Sequence, residues 1–218
     1  MKNPSQSLFL IVALIMPVLP TMAADVAGAK EPLGLKRYEG TRITYYNEKT
    51  YDSYELPLGR MTEMNFTTHK GVFEKSLKLE GKVTRLSYAG SDPDRTALEV
   101  YRNYTTDLKS QGWETLWEGS EKELSNGDGS QFAHLYTNRP GQTFEYSYIG
   151  GHFIAAKKGN AHIGIYIVNF KDGYVGDPKL APAKGAPVIA IDIIESAAMD
   201  EKMVVVKADE MASKLISL

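Results

Sequence analysis

The clearest pattern along the chain lies between residues 152 and 170. Two strand-like runs, 152–158 (HFIAAKK) and 161–170 (AHIGIYIVNF), are separated by Gly159-Asn160. A two-residue loop containing glycine joins such runs as a hairpin. With Gly159 and Asn160 as the loop, Lys158 opposes Ala161, Ala156 opposes Ile163 and Ile154 opposes Ile165. One face then carries Ile154, Ala156, Ile163, Ile165 and Ile167 as core. Residues 188–194 (VIAIDII) are apolar almost without interruption, the pattern of a central strand covered on both faces. Residues 203–206 (MVVV) read as a further strand.

Earlier segments repeat the strand signal. Residues 42–46 (RITYY) and 51–58 (YDSYELPL) are rich in β-branched and aromatic side chains, with a turn expected at Asn47-Glu48. Residues 61–68 are expected to pair next. Leu77, Leu79 and Val83 share one parity, while Leu86 and Tyr88 take the other, a change that predicts a β-bulge between Val83 and Leu86. A helix is expected after Gly90. Ser91 and Asp94 have capping-box spacing, Pro93 suits a first turn, and Leu98, Tyr101, Thr105 and Leu108 recur at three and four. Gly112 ends it and Trp113 to Trp117 resumes a strand, so 77–118 reads as a strand–helix–strand unit. Residues 121–130 read as a loop, and 131–136 and 144–148 as strands. Residues 173–187 are a Pro- and Gly-rich connection. A second helix is expected over 208–218, from the stripe Met211, Ala212, Leu215 and Ile216. Together these predict an α+β fold: a mostly antiparallel sheet with two amphipathic helices packed on it.

The first residues read differently. Lys2 precedes twelve apolar residues, 8–19, and small residues follow, the layout of a secretory signal cleaved after Ala23. Twelve residues interrupted by Pro17 fall short of the roughly 20 that span a hydrocarbon core. The expected organisation is a cleaved leader over 1–23, an extended lead-in over 24–41 and a single domain over 42–218. The expected location is the periplasm, in association with the outer membrane. The 218 residues contain no cysteine, which excludes disulfide staples, thiolate catalysis, Cys-ligated zinc and a lipid-modified cysteine. A net charge of −2 and a pI near 6.1 argue against nucleic acid, whose binding draws on basic excess.

The inventory of chemistry is short. His152 and His162 fall on opposite faces of the inferred hairpin, and no metal-ligand spacing links the four histidines, so neither a metal nor a cofactor is expected. Asn126, Asp128 and Ser130 open like a calcium loop, but Gln131 and Thr137 stand where glycine and glutamate are required. Gly127-x-Gly129 lacks the rest of a dinucleotide fingerprint. Asp92 and Asp94 are simpler as helix-start residues than as a hydrolase pair. Asp192 stands out because it interrupts an apolar strand. A buried carboxylate needs a partner, and it is expected either at a strand face lined with water or accepting bonds from a neighbour such as Arg85. Trp113 and Trp117, four apart, are expected on one strand face. With Tyr45 and Tyr46 they are the candidate contact surface, and Asp192 completes the candidate binding residues. No catalytic residue is identified.

Four stretches, LGLKRYEGTRITYY, SxxDRTALEVYRNYTTDLKSQGWETLWE, FIAAKKGNAHIGIYIV and VIAIDIIESAAMDEKMVVVKADEMASKL, together resemble a family of unknown function that forms the N-terminal region of OmpA-like proteins of Gram-negative envelopes. The resemblance runs from about Asp25 to Leu218. Family members often carry a cysteine pair where this chain has 121–130, and they usually continue into a peptidoglycan-binding domain after the last helix, of which the sequence carries no trace. The resemblance therefore implies an address, and no catalytic residue. The expected function is a non-enzymatic envelope module contacting an envelope protein or the cell wall. The competing expectation is a small enzyme or ligand-binding protein acting on a wall or lipid fragment, marked by a deep pocket with polar groups converging on Asp192 or His152. A third expectation is a truncated form of a longer protein.

Overall fold

The computed structural model describes residues 24–32, 34–126, 130–137, 144–175 and 177–198. The leader, the strand expected over 203–206, the helix expected over 208–218 and the Gly127-x-Gly129 pair lie outside them. Among the described residues the fold is mostly antiparallel sheet with two α-helices. Six strands form one sheet in the order β1-β4-β8-β7-β6-β5, with β1 Thr41–Pro57, β4 Ser76–Gly90, β5 Glu114–Ser120, β6 Phe144–Lys158, β7 Ala161–Val175 and β8 Pro187–Ser196. A small second sheet pairs β2 (Met61–Asn65) with β3 (Lys70–Phe73). Helix α1 (Ala97–Ser110) lies between β4 and β5 in the chain, and α2 (Ser130–Thr137) between β5 and β6.

The hairpin forms in the expected register: Lys158 opposes Ala161, Ala156 opposes Ile163 and Ile154 opposes Ile165. Strand β8 runs between β4 and β7, and its residues 187–194 are all buried. Both faces of the sheet are covered, so alternate residues serve different cores. Ile189, Ile191 and Ile193 join Ile154, Ile163, Ile165 and Ile167 in the core beneath α1. Val188, Ala190 and Ile194 join Phe153, Tyr166, Phe132 and Tyr136 in the core beneath α2.

The two cores explain the change of parity in β4. Its register with β8 is unbroken from Gly81 to Ala89, so the expected bulge between Val83 and Leu86 is absent. Leu79 and Val83 pack on the α2 face while Leu86 and Tyr88 pack on the α1 face; the strand buries one face at its start and the other at its end. The irregularities are in β1, between Ile43 and Tyr45 and between Lys49 and Asp52. Residues 42–58, expected as two strands with a turn at Asn47-Glu48, form one long strand instead.

Three further expectations are corrected. Residues 131–136 are helical: Phe132, Ala133 and Tyr136 are buried together, a spacing that one helix face supplies and a strand does not. Helix α1 begins one turn later than expected. Thr96 caps it, its side chain accepting from Glu99 N at 3.1 Å, while Asp94 N bonds back to Asp92 in a local turn. The buried stripe of α1 is Ala97, Val100, Tyr104 and Leu108, and Leu98 is 43% exposed. Both stripes satisfy helical spacing; docking on the isoleucine face selects the one carrying Val100 and Tyr104. The lead-in fastens to β1 through Val26 N–Ile43 O (3.0 Å) and Ile43 N–Asp25 Oδ1 (2.7 Å), is braced internally by the Arg37–Asp25 ion pair, and buries Leu35 in the α1 core.

Candidate functional site

The site begins with a bend. Beyond Gly81, residues 76–80 of β4 pair with β1 alone among the described residues. Gly81 has φ 150°, and a Cβ there would lie 2.2 Å from the Glu195 carbonyl oxygen; only glycine allows the strands to approach so closely. The Lys49/Asp52 irregularity of β1 lies opposite it, where Asp52 pairs with Gly81, and extra residues of this kind increase bending and twist. The two-stranded ribbon 52–57/76–80 therefore leaves the sheet and folds back over its α2 face. Leu56 reaches as far as β7, where a Cβ on Gly164 would meet its Cδ1 at 3.2 Å.

The ribbon, the β2–β3 hairpin and α2 roof this face without closing it. Between them lies a cleft of about 640 Å³, walled by Tyr54 and Glu55 of β1, His69 to Gly71 and Phe73 of the hairpin, Lys78 to Glu80 and Arg85 of β4, and Leu135 and Tyr136 of α2, with Asp192 of β8 among its lining residues. Asp192 is only 5% exposed. The Tyr54 hydroxyl donates to Asp192 Oδ2 at 2.8 Å and lies 3.1 Å from the Tyr136 hydroxyl. Because the single Tyr54 proton points to Asp192, Tyr136 is the donor to Tyr54. Burial, then the Asp192 charge and the neighbouring Tyr136, raise the Tyr54 pKa well above 10. Its phenol is therefore a fixed donor and not a base. The Arg85 guanidinium lies over the Tyr54 ring, 5.6 Å from its centroid. The expected partnership of Arg85 with Asp192 is thus corrected in its detail: they are opposed in the β4–β8 register, but Tyr54 bonds the carboxylate and Arg85 stacks on Tyr54.

Beneath the cleft the rings are continuous. Tyr136 stacks on Phe132 with centroids 5.3 Å apart and contacts Phe153 at 5.2 Å and Tyr166 at 5.6 Å. The small residues Gly164, Ala155 and Ala190 on this sheet face leave room for these rings. The helical spacing of Phe132 and Tyr136 was the signal in the sequence that could have found this wall.

The other candidate residues are dispersed. Trp113 precedes β5 and is buried in the α1 core, whereas Trp117 packs on the other side against Phe153 and Phe132, at 5.6 and 6.4 Å. A register irregularity in β5 between Thr115 and Trp117 breaks the expected shared parity. Tyr46 packs against the α1 core and its hydroxyl donates to Glu48 at 3.0 Å; Tyr45, its neighbour in β1, is half-buried. These four aromatics do not assemble into one surface, and only Asp192 of the sequence candidates enters the cleft. His152 stacks on Tyr101 at 4.8 Å, and burial lowers its pKa. Among the described residues no group of three His, Asp or Glu is placed to hold a metal ion, and no helix is long and apolar enough to cross a membrane.

Comparison of the chain with protein-family models finds no match, and comparison with curated proteins finds none.

Proposed function

We propose that the protein is an exported α+β binding protein of the Gram-negative envelope, working in the periplasm, and that it holds a small wall or lipid fragment in the cleft over Asp192. One observation carries this reading: a carboxylate buried on an otherwise apolar strand lies with the Tyr54–Tyr136 hydroxyl pair in a cleft of about 640 Å³, within the size range of small-molecule sites. The leader-like segment over 1–23 and the motif resemblance support the address.

A contact with an envelope protein is a second reading, supported by one feature. Phe66 and Val72 of the β2–β3 hairpin are 56% and 55% exposed, an apolar pair beside the cleft wall.

A thermal-shift panel of muramyl peptides and glycerophospholipid fragments tests the cleft, with Leu135→Trp as the blocked variant. Stabilisation of the parent protein that Leu135→Trp abolishes supports the reading. Equal stabilisation of both, or of neither, overturns it. Fractionation of cells tests the address, which fails if the full-length, uncleaved chain stays in the cytoplasm.

A further inference from the structure

The cleft's charges are not engaged alike. Three carboxylates line it, and each accepts a hydrogen bond from a hydroxyl: Glu55 from Ser76 Oγ at 2.6 Å, Glu80 from the Tyr51 hydroxyl at 2.8 Å and Asp192 from the Tyr54 hydroxyl at 2.8 Å. Ser76 and Tyr51 lie outside the cleft lining, and both of these bonds are on the exposed surface, so Glu55 and Glu80 each commit an oxygen to a partner at the cleft's rim. The cations differ. Among the described residues Lys70 and Lys78 have no carboxylate within 4.0 Å, although Glu55 opposes Lys78 in the strand register. Arg85 reaches Asp52 only at 4.0 Å and is otherwise held by the Tyr54 ring. Two exposed ammonium groups and a half-buried guanidinium along the cleft thus have no carboxylate closer than 4.0 Å among the described residues, and such donors bond most strongly to an ionised oxygen.

Resting on the reading of this cleft as a ligand site, we propose that it selects a molecule bearing one oxyanion, phosphate or carboxylate, joined to an apolar or aromatic body. The oxyanion sits between Lys70, Lys78 and Arg85, and the body lies against Phe73 and Leu135. Asp192 does not touch the anion. It orients Tyr54, and Tyr54 in turn supports Arg85 from below through its ring face.

Calorimetric titration of the purified protein with phenyl phosphate, benzoate, benzylammonium and benzyl alcohol tests this. The first two separate a phosphate source from a carboxylate source. The expected result is saturable binding of at least one anion, weakened about tenfold or more in Lys70→Ala/Lys78→Ala, and unchanged in Lys109→Ala/Lys122→Ala, which removes two exposed lysines elsewhere. Anion binding that survives loss of Lys70 and Lys78 overturns the proposal. Binding of benzylammonium or benzyl alcohol in preference to both anions, abolished by Leu135→Trp, overturns the anion selectivity while leaving the cleft as a ligand site. Binding of none of the four also overturns the selectivity, and the cleft reading is then decided separately by the panel of wall and lipid fragments.

Discussion

The two faces of the sheet are closed in different ways. Beneath α1 the contacts are aliphatic and regular. Seven isoleucines from β6, β7 and β8 meet Ala97, Val100 and Leu108 along one helix, and the strand residues are at most 1% exposed. The opposite face is closed by pieces: a short helix, a two-stranded hairpin and a ribbon bent out of the sheet. Its filling is aromatic, and it contains a buried carboxylate and an open cleft. A single amphipathic helix covers the isoleucine surface itself because its stripe is continuous, and the cleft on that side, about 830 Å³, lies between the lead-in and α1 and is lined by charged residues such as Arg95, Glu99 and Arg102. Several short elements meeting at angles leave space between them, and polar groups tolerate that space because hydroxyls can satisfy them. The α1 face is filled where the helix meets the sheet, and the α2 face leaves a cleft that reaches a buried carboxylate.

The strongest test of this contrast is truncation on the closed face. Ile165→Ala is expected to cost about 2–5 kcal/mol, since the surrounding core cannot collapse into the cavity. Leu135→Ala, at the half-buried cleft wall, is expected to cost roughly 1 kcal/mol. Urea denaturation of the two variants measures the difference, and equal losses would break the comparison.

Tyr54→Phe is expected to destabilise by about 1.5–3 kcal/mol, the range for a hydrogen bond to a charged group, because it removes the donor from buried Asp192. Asp192→Asn leaves an acceptor for Tyr54 and should cost less. If the two denaturation curves coincide, the Tyr54–Asp192 bond is not what stabilises this region.

Gly81→Ala sharpens the comparison differently. It should cost about 1–3 kcal/mol from backbone strain and close approach. Its mark is where the loss falls: hydrogen exchange should rise in 52–57 and 76–80 and stay unchanged in β6 and β7.

The smallest expected effect is of pH. Burial lowers the pKa of both His152, on the α1 face, and His162, on the opposite face, below 6.5. The unfolded chain therefore binds protons that the folded chain resists, and stability is full above pH 6.5 and declines as pH falls toward the lowered values. His152→Gln and His162→Gln should each flatten part of that slope. An undiminished slope in the double variant would place its origin in other groups.

Legibility in the sequence follows the same division. The 152–170 hairpin was readable because Gly159-Asn160 sets the register and alternation assigns each side chain to a face. Helix α1 was readable as a helix, but its buried stripe was not, since Leu98/Tyr101 and Val100/Tyr104 satisfy the same spacing. The cleft was legible in a single residue, Asp192, as a polar interruption of an apolar strand. Tyr54, which bonds it, and Tyr136, which bonds Tyr54, lie 138 and 56 positions away in a strand end and a helix read as a strand. Nothing local to either joins them.

The sequence by itself determined the elements whose signals are local: the central strand β8, the hairpin register, the existence of α1 and the strand-rich character of the chain. Local signals suffice there because each residue's face depends only on its parity within its own element. Tertiary structure alone decided which parity served which core in β4, that 131–136 coil into a helix, and that the ribbon beyond Gly81 turns back over the sheet. Those outcomes depend on what covers each face, and the covering segments are distant along the chain. The cleft is the space left where they meet.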